Sequence, residues 1–240
     1  MRTHALLLLV SLPLAVVAGG SAGAQPLPEP LPVAPDTLQY GTGIGASLLL
    51  TNYGFGIGLL LRGELSEANS AVTEVRIGAG KDEREQEFFV GAFGDSIVPL
   101  KRSYFVMLPL HVGLERRLFR ETIEDNFRPF VQVLGGPTFG YQWPYFDDED
   151  GDGIRDSGEE RLGAFGGFAD GSFRFGLGAA LAVGAYFGSS PRATQGLRIG
   201  YTAHYFFDDV ELLEPNPEVE RPNQRYFGTP IVSLHLLRLF

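Results

Sequence analysis

Cysteine is absent from the 240-residue sequence. A chain without cysteine has neither disulfides nor a lipid-modified cysteine, so backbone hydrogen bonds and side-chain packing must stabilise it. Basic residues are also few, with 19 Lys and Arg against 29 Asp and Glu and a formal net charge of −10. Nucleic-acid binding needs a positively charged surface, so we expect no nucleic-acid partner.

Long apolar runs are missing beyond the N-terminal segment, because Gly, Arg or Pro interrupts each one within a few residues. A transmembrane helix needs about 20 consecutive apolar residues. A lipid bilayer accepts only helices and closed barrels, because it offers no water to unpaired backbone groups. If this chain crosses a membrane after residue 24, it must therefore do so as a closed β-barrel.

The N-terminus has the pattern of an export signal. Arg2 and His4 precede an apolar stretch from Ala5 to Ala18, and the small residues Ala22-Gly23-Ala24 then fit a signal-peptidase site. The apolar core is shorter than a spanning helix, so we predict a cleaved signal peptide at 1–24 rather than a membrane anchor. Residues 25–37 contain five prolines and predict an extended periplasmic linker.

The rest of the chain, 38–240, alternates apolar and small or polar residues with a period of two, which is typical of β-strands. Every odd position from Phe173 to Phe187 is apolar, whereas the even positions are mostly small or charged. Eight such segments occur, at about 39–50, 54–65, 71–81, 103–116, 127–141, 171–187, 195–207 and 226–240. They are longer than the ~5–6 residues of an average soluble strand and match the ~9–11 of a tilted membrane strand. The sequence therefore predicts an all-β protein, an eight-stranded antiparallel transmembrane β-barrel with up-and-down meander topology.

The polarity of the two faces predicts which one points outward. The apolar face has almost no charge, and Arg and Glu share the other face with Gly, so we expect lipid outside and charge in the lumen. A soluble lipocalin-like barrel would have the opposite arrangement. Because an eight-stranded barrel is just wide enough for its own side chains, the polar face predicts a packed core rather than a pore. The predicted lumen residues are Arg62, Glu64, Glu74, Arg76, His111, Glu115, Arg128, Gln132, Arg174, Arg198 and His204.

These features resemble small bacterial outer-membrane barrels of the OmpA-transmembrane-domain or OmpX type. The chain ends in Phe240, and Val232, Leu234 and Leu236 precede it at alternate positions, whereas Arg238 departs from that pattern. The resemblance implies an outer-membrane location, contact with outer-membrane lipid, recognition of Phe240 by the barrel-assembly machinery, and a monomeric state.

One segment has the ligand spacing of a calcium loop. Between Asp147 and Glu160, eight of fourteen residues are acidic. With Asp148 as position 1, the predicted ligands at positions 1, 3, 5, 7, 9 and 12 are Asp148, Asp150, Asp152, Ile154 through its carbonyl, Asp156 and Glu159. Gly153 at position 6 allows the sharp turn, but no helices flank the loop and position 8 lacks the usual apolar residue. We expect a structural Ca²⁺ site, and a merely solvated acidic loop is the alternative.

No catalytic motif is evident, so we expect a non-enzymatic structural or surface role. Ser233 and His235 share one face of a strand, and Asp208 and Asp209 precede it. Residues i and i+2 on a strand lie ~6.6–7 Å apart, which predicts poor contact between nucleophile and base. The alternatives are a narrow channel or transport pore and a lipid-modifying membrane enzyme.

Overall fold

The computed structural model describes residues 42–90, 95–123, 126–188, 193–215 and 224–240. The signal peptide predicted at 1–24 and the linker predicted at 25–37 lie outside these residues. The strands are β1 (Gly43–Thr51), β2 (Gly54–Glu64), β3 (Asn69–Ala79), β4 (Phe88–Val90), β5 (Asp95–Ile97), β6 (Ser103–Arg117), β7 (Phe127–Pro144), β8 (Ser172–Phe187), β9 (Ala193–Val210) and β10 (Gln224–Leu239).

Eight of these strands form one closed antiparallel barrel in the order β1-β10-β9-β8-β7-β6-β3-β2. Each strand pairs with the next one along the chain, apart from the small β4–β5 hairpin, and β10 closes the barrel by pairing with β1 from Gly43↔Leu239 to Thr51↔Ile231. The predicted fold class, strand number and meander topology are therefore confirmed. Among the described residues, no helix is long and apolar enough to cross a membrane.

The connections distinguish the two ends of the barrel. The segments between β3 and β6, between β7 and β8 and between β9 and β10 are long and lie at what we call the loop end, together with the short β1–β2 turn. The shorter connections and both termini of the barrel lie at the other end, which we call the turn end. The exposed Phe240 is there, and its backbone N–H donates to the carbonyl of Thr42 at 3.0 Å.

The alternation of side chains matches the predicted faces. Outward-facing Leu48, Leu59 and Leu181 are 61%, 63% and 58% exposed, whereas lumenal Ser47, Leu60 and Ala182 are at most 5% exposed. On β10, Val232, Leu234 and Leu236 all point outward, and Arg238 shares that outer face close to the turn end. Long rows of aliphatic side chains therefore cover the outer wall.

Three details differ from the prediction. The connection between β3 and β6 contains the β4–β5 hairpin, whose strands are too short to show a period in the sequence. Strand β9 continues to Val210, so Asp208 and Asp209 belong to it rather than to a loop. Of the first predicted strand, 39–50, residues 39–41 lie outside the described part of the chain, and β1 begins at Gly43.

The lumen is filled in three layers. An apolar layer near the turn end consists of Leu60, Val72, Phe130, Leu134, Ala180, Tyr186, Leu237 and Leu239. A second apolar layer near the loop end consists of Tyr53, Phe105, Met107, Phe206, Val210, Leu212 and Phe227. Between them lies a polar layer, composed of Ser47, Glu74, Arg76, His111, Gln132, Thr138, Arg198, Thr202, His204, Ser233 and His235. We call it the middle polar layer.

Candidate functional site: a closed polar core and an acidic loop

A buried ion pair lies at the centre of the middle polar layer. Arg198 on β9 donates from Nη1 and Nη2 to the two carboxylate oxygens of Glu74 on β3, both at 2.8 Å. The Glu74 and Arg198 side chains are 0% and 3% exposed. A fork-to-fork pair of this kind is the strongest geometry available to these groups. Both oxygens of Glu74 are therefore engaged by one guanidinium.

The same arginine starts a chain of hydrogen bonds. Its Nε donates to Ser233 Oγ at 2.9 Å, and Ser233 Oγ lies 2.9 Å from His235 Nε2. The sequence-based expectation that Ser233 and His235 are too far apart for contact is therefore wrong. Their backbones are two residues apart, but the longer histidine side chain leans back along the strand. Asp209 does not complete a triad with them, because it accepts a hydrogen bond from Arg225 at the loop end.

Two further histidines share the middle polar layer. Arg76 Nη2 lies 2.7 Å from His111 Nδ1, and the ring of His111 stacks on that of His204 with centroids 5.5 Å apart. His204 has a hydroxyl partner at each ring nitrogen, Thr138 at 2.9 Å and Thr202 at 3.0 Å. All the histidines of the barrel are thus in one buried layer.

The remaining predicted lumen residues lie towards the two ends. Near the turn end, Glu115 accepts from Arg62 Nε at 2.9 Å and from the Tyr186 hydroxyl at 2.8 Å. Arg128 there donates to Thr194 Oγ1 at 2.6 Å, and Glu64 is half-buried. Arg174 is half-buried near the loop end. The charged side chains Arg62, Glu115 and Arg128 thus have hydrogen-bond partners within the barrel. Such pairing is typical of a packed core and not of a pore lining.

Apolar side chains cover the middle polar layer on both sides. Towards the loop end, Phe105, Phe206 and Phe227 contact one another with ring centroids 5.2–5.6 Å apart. Two small cavities interrupt the packing, one of about 20 Å³ beside Tyr186 and one of about 50 Å³ beside Arg76. The Ser233–His235 pair is therefore buried between two apolar layers.

The acidic segment between β7 and β8 forms a small closed loop. Phe146 and Arg161 make an isolated bridge at its base, and the Asp147 N–H donates to the Glu160 carbonyl at 3.0 Å. Within the loop, Asp148 accepts from the N–H groups of Gly151 and Gly153 at 2.8 and 3.0 Å. Both glycines have φ near +76°, a conformation that residues with a Cβ seldom adopt. The backbone thus bends tightly around Asp148.

The structure brings some of the predicted calcium ligands together. Carboxylate oxygens of Asp148, Asp150 and Asp152 all lie within 4.8 Å of one another. The Glu159 carboxylate lies elsewhere on the loop, where it accepts from the N–H groups of Glu149 and Asp156 at 2.9 Å each. Asp156 and Glu159 do not belong to this cluster of three carboxylates. The backbone N–H of Ile154 donates to the carboxylate of Asp152 at 2.7 Å.

Residues from two other connections border this loop, and no pattern in the sequence predicts that they do. A Cβ added to Gly153 would come within 2.7 Å of Arg102 Cζ, so the guanidinium lies directly against the turn. Arg102 also pairs with Glu211. Burial raises the pKa of Glu214, and the negative charges of Asp152 and Glu159 raise it further. Only tertiary contacts place these side chains beside a loop that is more than 40 residues away in sequence.

Similarity to known proteins is limited to solved structures. No family model and no curated protein matches the chain. Solved structures that match include Neisserial surface protein A (9% identity, TM-score 0.43, 83% of this chain and 96% of that one), Ail of Yersinia pestis (13%, 0.37, 82% and 95%) and the outer membrane enzyme PagL (11%, 0.34, 82% and 99%). The neighbours are small eight-stranded outer-membrane β-barrels, which is the class of protein that the sequence resembles; the narrower OmpA or OmpX type is not confirmed.

Proposed function

We propose that this protein is a non-enzymatic outer-membrane barrel with a structural or surface-interaction role. The observation that carries the proposal is the outer wall, where aliphatic side chains more than half exposed occur on seven of the eight barrel strands. Soluble proteins seldom expose apolar patches of more than a few hundred Å². In a bilayer the same surface contacts hydrocarbon, so outer-membrane lipid is the partner that fits it.

Aromatic side chains bound this surface at both ends. Near the loop end, outward-facing rings include Tyr104, Tyr141, Trp143, Phe173, Phe175, Tyr205 and Phe207. Near the turn end, Phe127 and Phe187 contact each other with centroids 5.4 Å apart. Aromatic girdles of this kind mark the two membrane interfaces of a barrel. The loop end faces the exterior and the turn end the periplasm, where Phe240 is available to the barrel-assembly machinery.

The acidic loop supplies the surface role that we propose, as a weak structural Ca²⁺ site. Asp148, Asp150 and Asp152 provide converging carboxylates, and Ile154, Asp156 and Glu159 complete the spacing of a calcium loop. Eight carboxylates in fourteen residues repel one another until a cation neutralises them. Extracellular sites of this type have dissociation constants of ~10⁻⁴–10⁻³ M, so the ion would order the loop in a calcium-rich exterior.

Two other functions have specific tests. A narrow channel is disfavoured by the apolar layers on either side of the middle polar layer, and steady single-channel currents from the purified barrel would establish it nonetheless. A lipid-modifying enzyme is suggested by the Ser233–His235 hydrogen bond, but that pair is buried away from lipid. Phospholipid or lipid A turnover that Ser233→Ala abolishes would make the protein an enzyme.

The main proposal is tested by membrane fractionation combined with gel mobility before and after heating. We expect the processed chain in the outer-membrane fraction and a faster-migrating band without heating, because a closed barrel resists the detergent. A processed chain that stays soluble in water without detergent would overturn the membrane assignment.

A further inference from the structure

The connection between β7 and β8 changes character where the acidic loop ends. Residues 162–169 read Leu-Gly-Ala-Phe-Gly-Gly-Phe-Ala and contain no charge, although Arg161 precedes them and Asp170 follows. Phe165 is 82% exposed and Phe168 is 45% exposed. We call residues 162–169 the apolar segment. Exposed rings on an uncharged stretch are typical of a surface that contacts something other than water.

The apolar segment lies on the outside of the barrel wall. The ring of Phe168 contacts the rings of Tyr141 and Trp143, with centroids 4.8 and 5.2 Å apart. Both of these β7 residues belong to the outward-facing girdle at the loop end, where Trp143 pairs with Tyr104 on β6. Phe173 on β8 pairs with Tyr141, is 78% exposed and contacts the same ring at 4.8 Å. Phe168 therefore extends the aromatic girdle, and the girdle continues into the aliphatic outer wall.

The girdle also pairs with the backbone of the apolar segment. Three outward-facing side chains donate to its carbonyls: Trp143 Nε1 to Ala164 at 2.8 Å, the Tyr141 hydroxyl to Phe168 at 2.5 Å, and the Tyr104 hydroxyl to Leu162 at 3.4 Å. Short turns pair three more, because the N–H groups of Gly166, Phe168 and Asp170 donate to the carbonyls of Gly163, Phe165 and Gly167 at 2.8, 3.3 and 3.1 Å. Six of the eight carbonyls of the segment thus have a partner.

Such complete pairing is a requirement beside lipid and not in water. A bilayer offers no water to a free carbonyl, so irregular backbone at its edge has to be paired within the protein. A loop in water has no such need, because water donates to its carbonyls. The side chains and the backbone of the apolar segment therefore indicate the same environment.

We propose that the apolar segment is an interfacial membrane anchor, held on the outer wall by these hydrogen bonds, which inserts Phe165 between lipids of the outer leaflet. Apolar side chains of interfacial segments reach about 5–10 Å into the boundary between headgroups and acyl chains. The inference rests on the membrane placement proposed above. It also gives the acidic loop a fixed position, because the loop ends at Arg161, directly before the anchor, and its base is held at headgroup level.

A soluble protein partner fits this surface less well. Specific protein interfaces carry about one hydrogen bond per 100–200 Å². The apolar segment has no polar side chain, and most of its carbonyls are already paired. Lipid asks for no hydrogen bonds from such a surface.

The first test measures the depth of Phe165 directly. The chain has no cysteine, so a single introduced cysteine can be labelled with a nitroxide. The processed chain is refolded into phosphatidylcholine vesicles with a chelator present, so that the result does not depend on the proposed Ca²⁺ site. Collisions of the label are then measured with oxygen, which concentrates in hydrocarbon, and with a nickel chelate, which stays in water. For Phe165→Cys we expect a several-fold excess of oxygen over nickel collisions, relative to a label in water.

Two reference positions separate this inference from the membrane placement itself. Leu181→Cys places the label on the outer wall of β8, and Ser157→Cys places it on an exposed position of the acidic loop. If the label at 181 is in lipid and the label at 165 collides with nickel as often as the label at 157, the anchor is overturned and the membrane placement stands. If the label at 181 is also in water, both proposals fail.

The second test removes the hydrogen bonds that hold the anchor. In the Phe165→Cys chain, Trp143→Phe and Tyr141→Phe each delete one donor to a carbonyl of the apolar segment and keep an aromatic ring. Both should raise the nickel collisions of the label, because an unpaired carbonyl favours water. Tyr205→Phe is the matched control, since Tyr205 belongs to the same girdle on β9 and its ring contact is with Phe207. A label that stays equally deep in all three variants would contradict an anchor held by the wall.

Discussion

Arg198 connects three strands through a single side chain. It donates to Glu74 on β3, to Gln132 on β7 at 2.7 Å and to Ser233 on β10. Strands that are not neighbours in the barrel are thereby joined across the lumen. Water does not compete for these charge-assisted hydrogen bonds in the buried lumen. The loss of any one of them would leave a buried polar group without a partner, which is costly.

We predict that Glu74→Gln destabilises the barrel by about 3–5 kcal/mol, because it leaves the buried charge of Arg198 without its partner beside the second cation, Arg76. The measurement is the free energy of unfolding in urea, in detergent micelles or lipid vesicles. Glu64→Gln is the matched control at the half-buried turn end and should change the free energy by less than about 0.5 kcal/mol. Equal effects of the two substitutions would show that the buried pair has no special role.

At the scale of structural elements, each barrel strand has to satisfy two environments at once. On β8 the odd residues from Phe173 to Phe187 face outward, and the even ones face the lumen. A shift of one residue would exchange the faces, so the alternation fixes the register strongly. The position along the strand then determines how much an outward-facing charge lowers the stability of the barrel in a membrane.

We predict that Leu181→Arg, near the middle of β8 and facing outward, costs about 2–4 kcal/mol in lipid vesicles. Arg238 is on the same outer face close to the turn end, where its long side chain can reach the interface, so Arg238→Leu should change the free energy of unfolding by no more than about 1 kcal/mol. Urea titrations of both variants in vesicles measure the two values. Similar costs at the two depths would contradict the proposed placement of the membrane.

The hydrogen bonds of the acidic loop form between residues of the loop itself. The structural role that we propose for the loop depends on bound Ca²⁺. We predict that millimolar Ca²⁺ slows trypsin cleavage after Arg155, and that a chelator restores the cleavage rate. Asp150→Asn should raise the required Ca²⁺ concentration several-fold, because it removes a charged ligand.

Glu149→Gln is the control for this prediction, since it removes one charge from the same loop at a position without a ligand role. Its calcium dependence should remain near that of the wild-type chain. If Asp150→Asn and Glu149→Gln respond alike, the effect of Ca²⁺ is general screening of an acidic loop and not a site.

For the whole molecule, the barrel stacks a polar layer between two apolar ones. Eight strands enclose a space that side chains can just fill, and the cavities beside Tyr186 and Arg76 are only about 20 and 50 Å³. Charge in the lumen therefore contributes to cross-linking of the strands, with apolar packing above and below it.

We predict that the purified barrel gives no steady ionic current in a planar bilayer, whereas a porin in the same bilayer does. Long, reproducible conductance steps at neutral pH would show that the lumen is an open path and would favour the channel alternative.

The sequence by itself determined the barrel. A period of two over eight long segments specifies which residues face outward, and this is enough to give the strand number, the meander and the lumenal residues, because each is a property of positions close in sequence. The same local information specified the turn around Asp148, where Gly151 and Gly153 follow the acidic residues at fixed spacing.

Only the tertiary structure decided which lumenal residues meet. The pairing of Glu74 with Arg198 and the stacking of His111 on His204 depend on the register between strands and on the closure of the barrel. Alternation tells which face a side chain takes, but it does not tell its height in the barrel relative to a strand on the far side. That height is fixed by the summed register of all the pairs around the barrel, which no single segment contains.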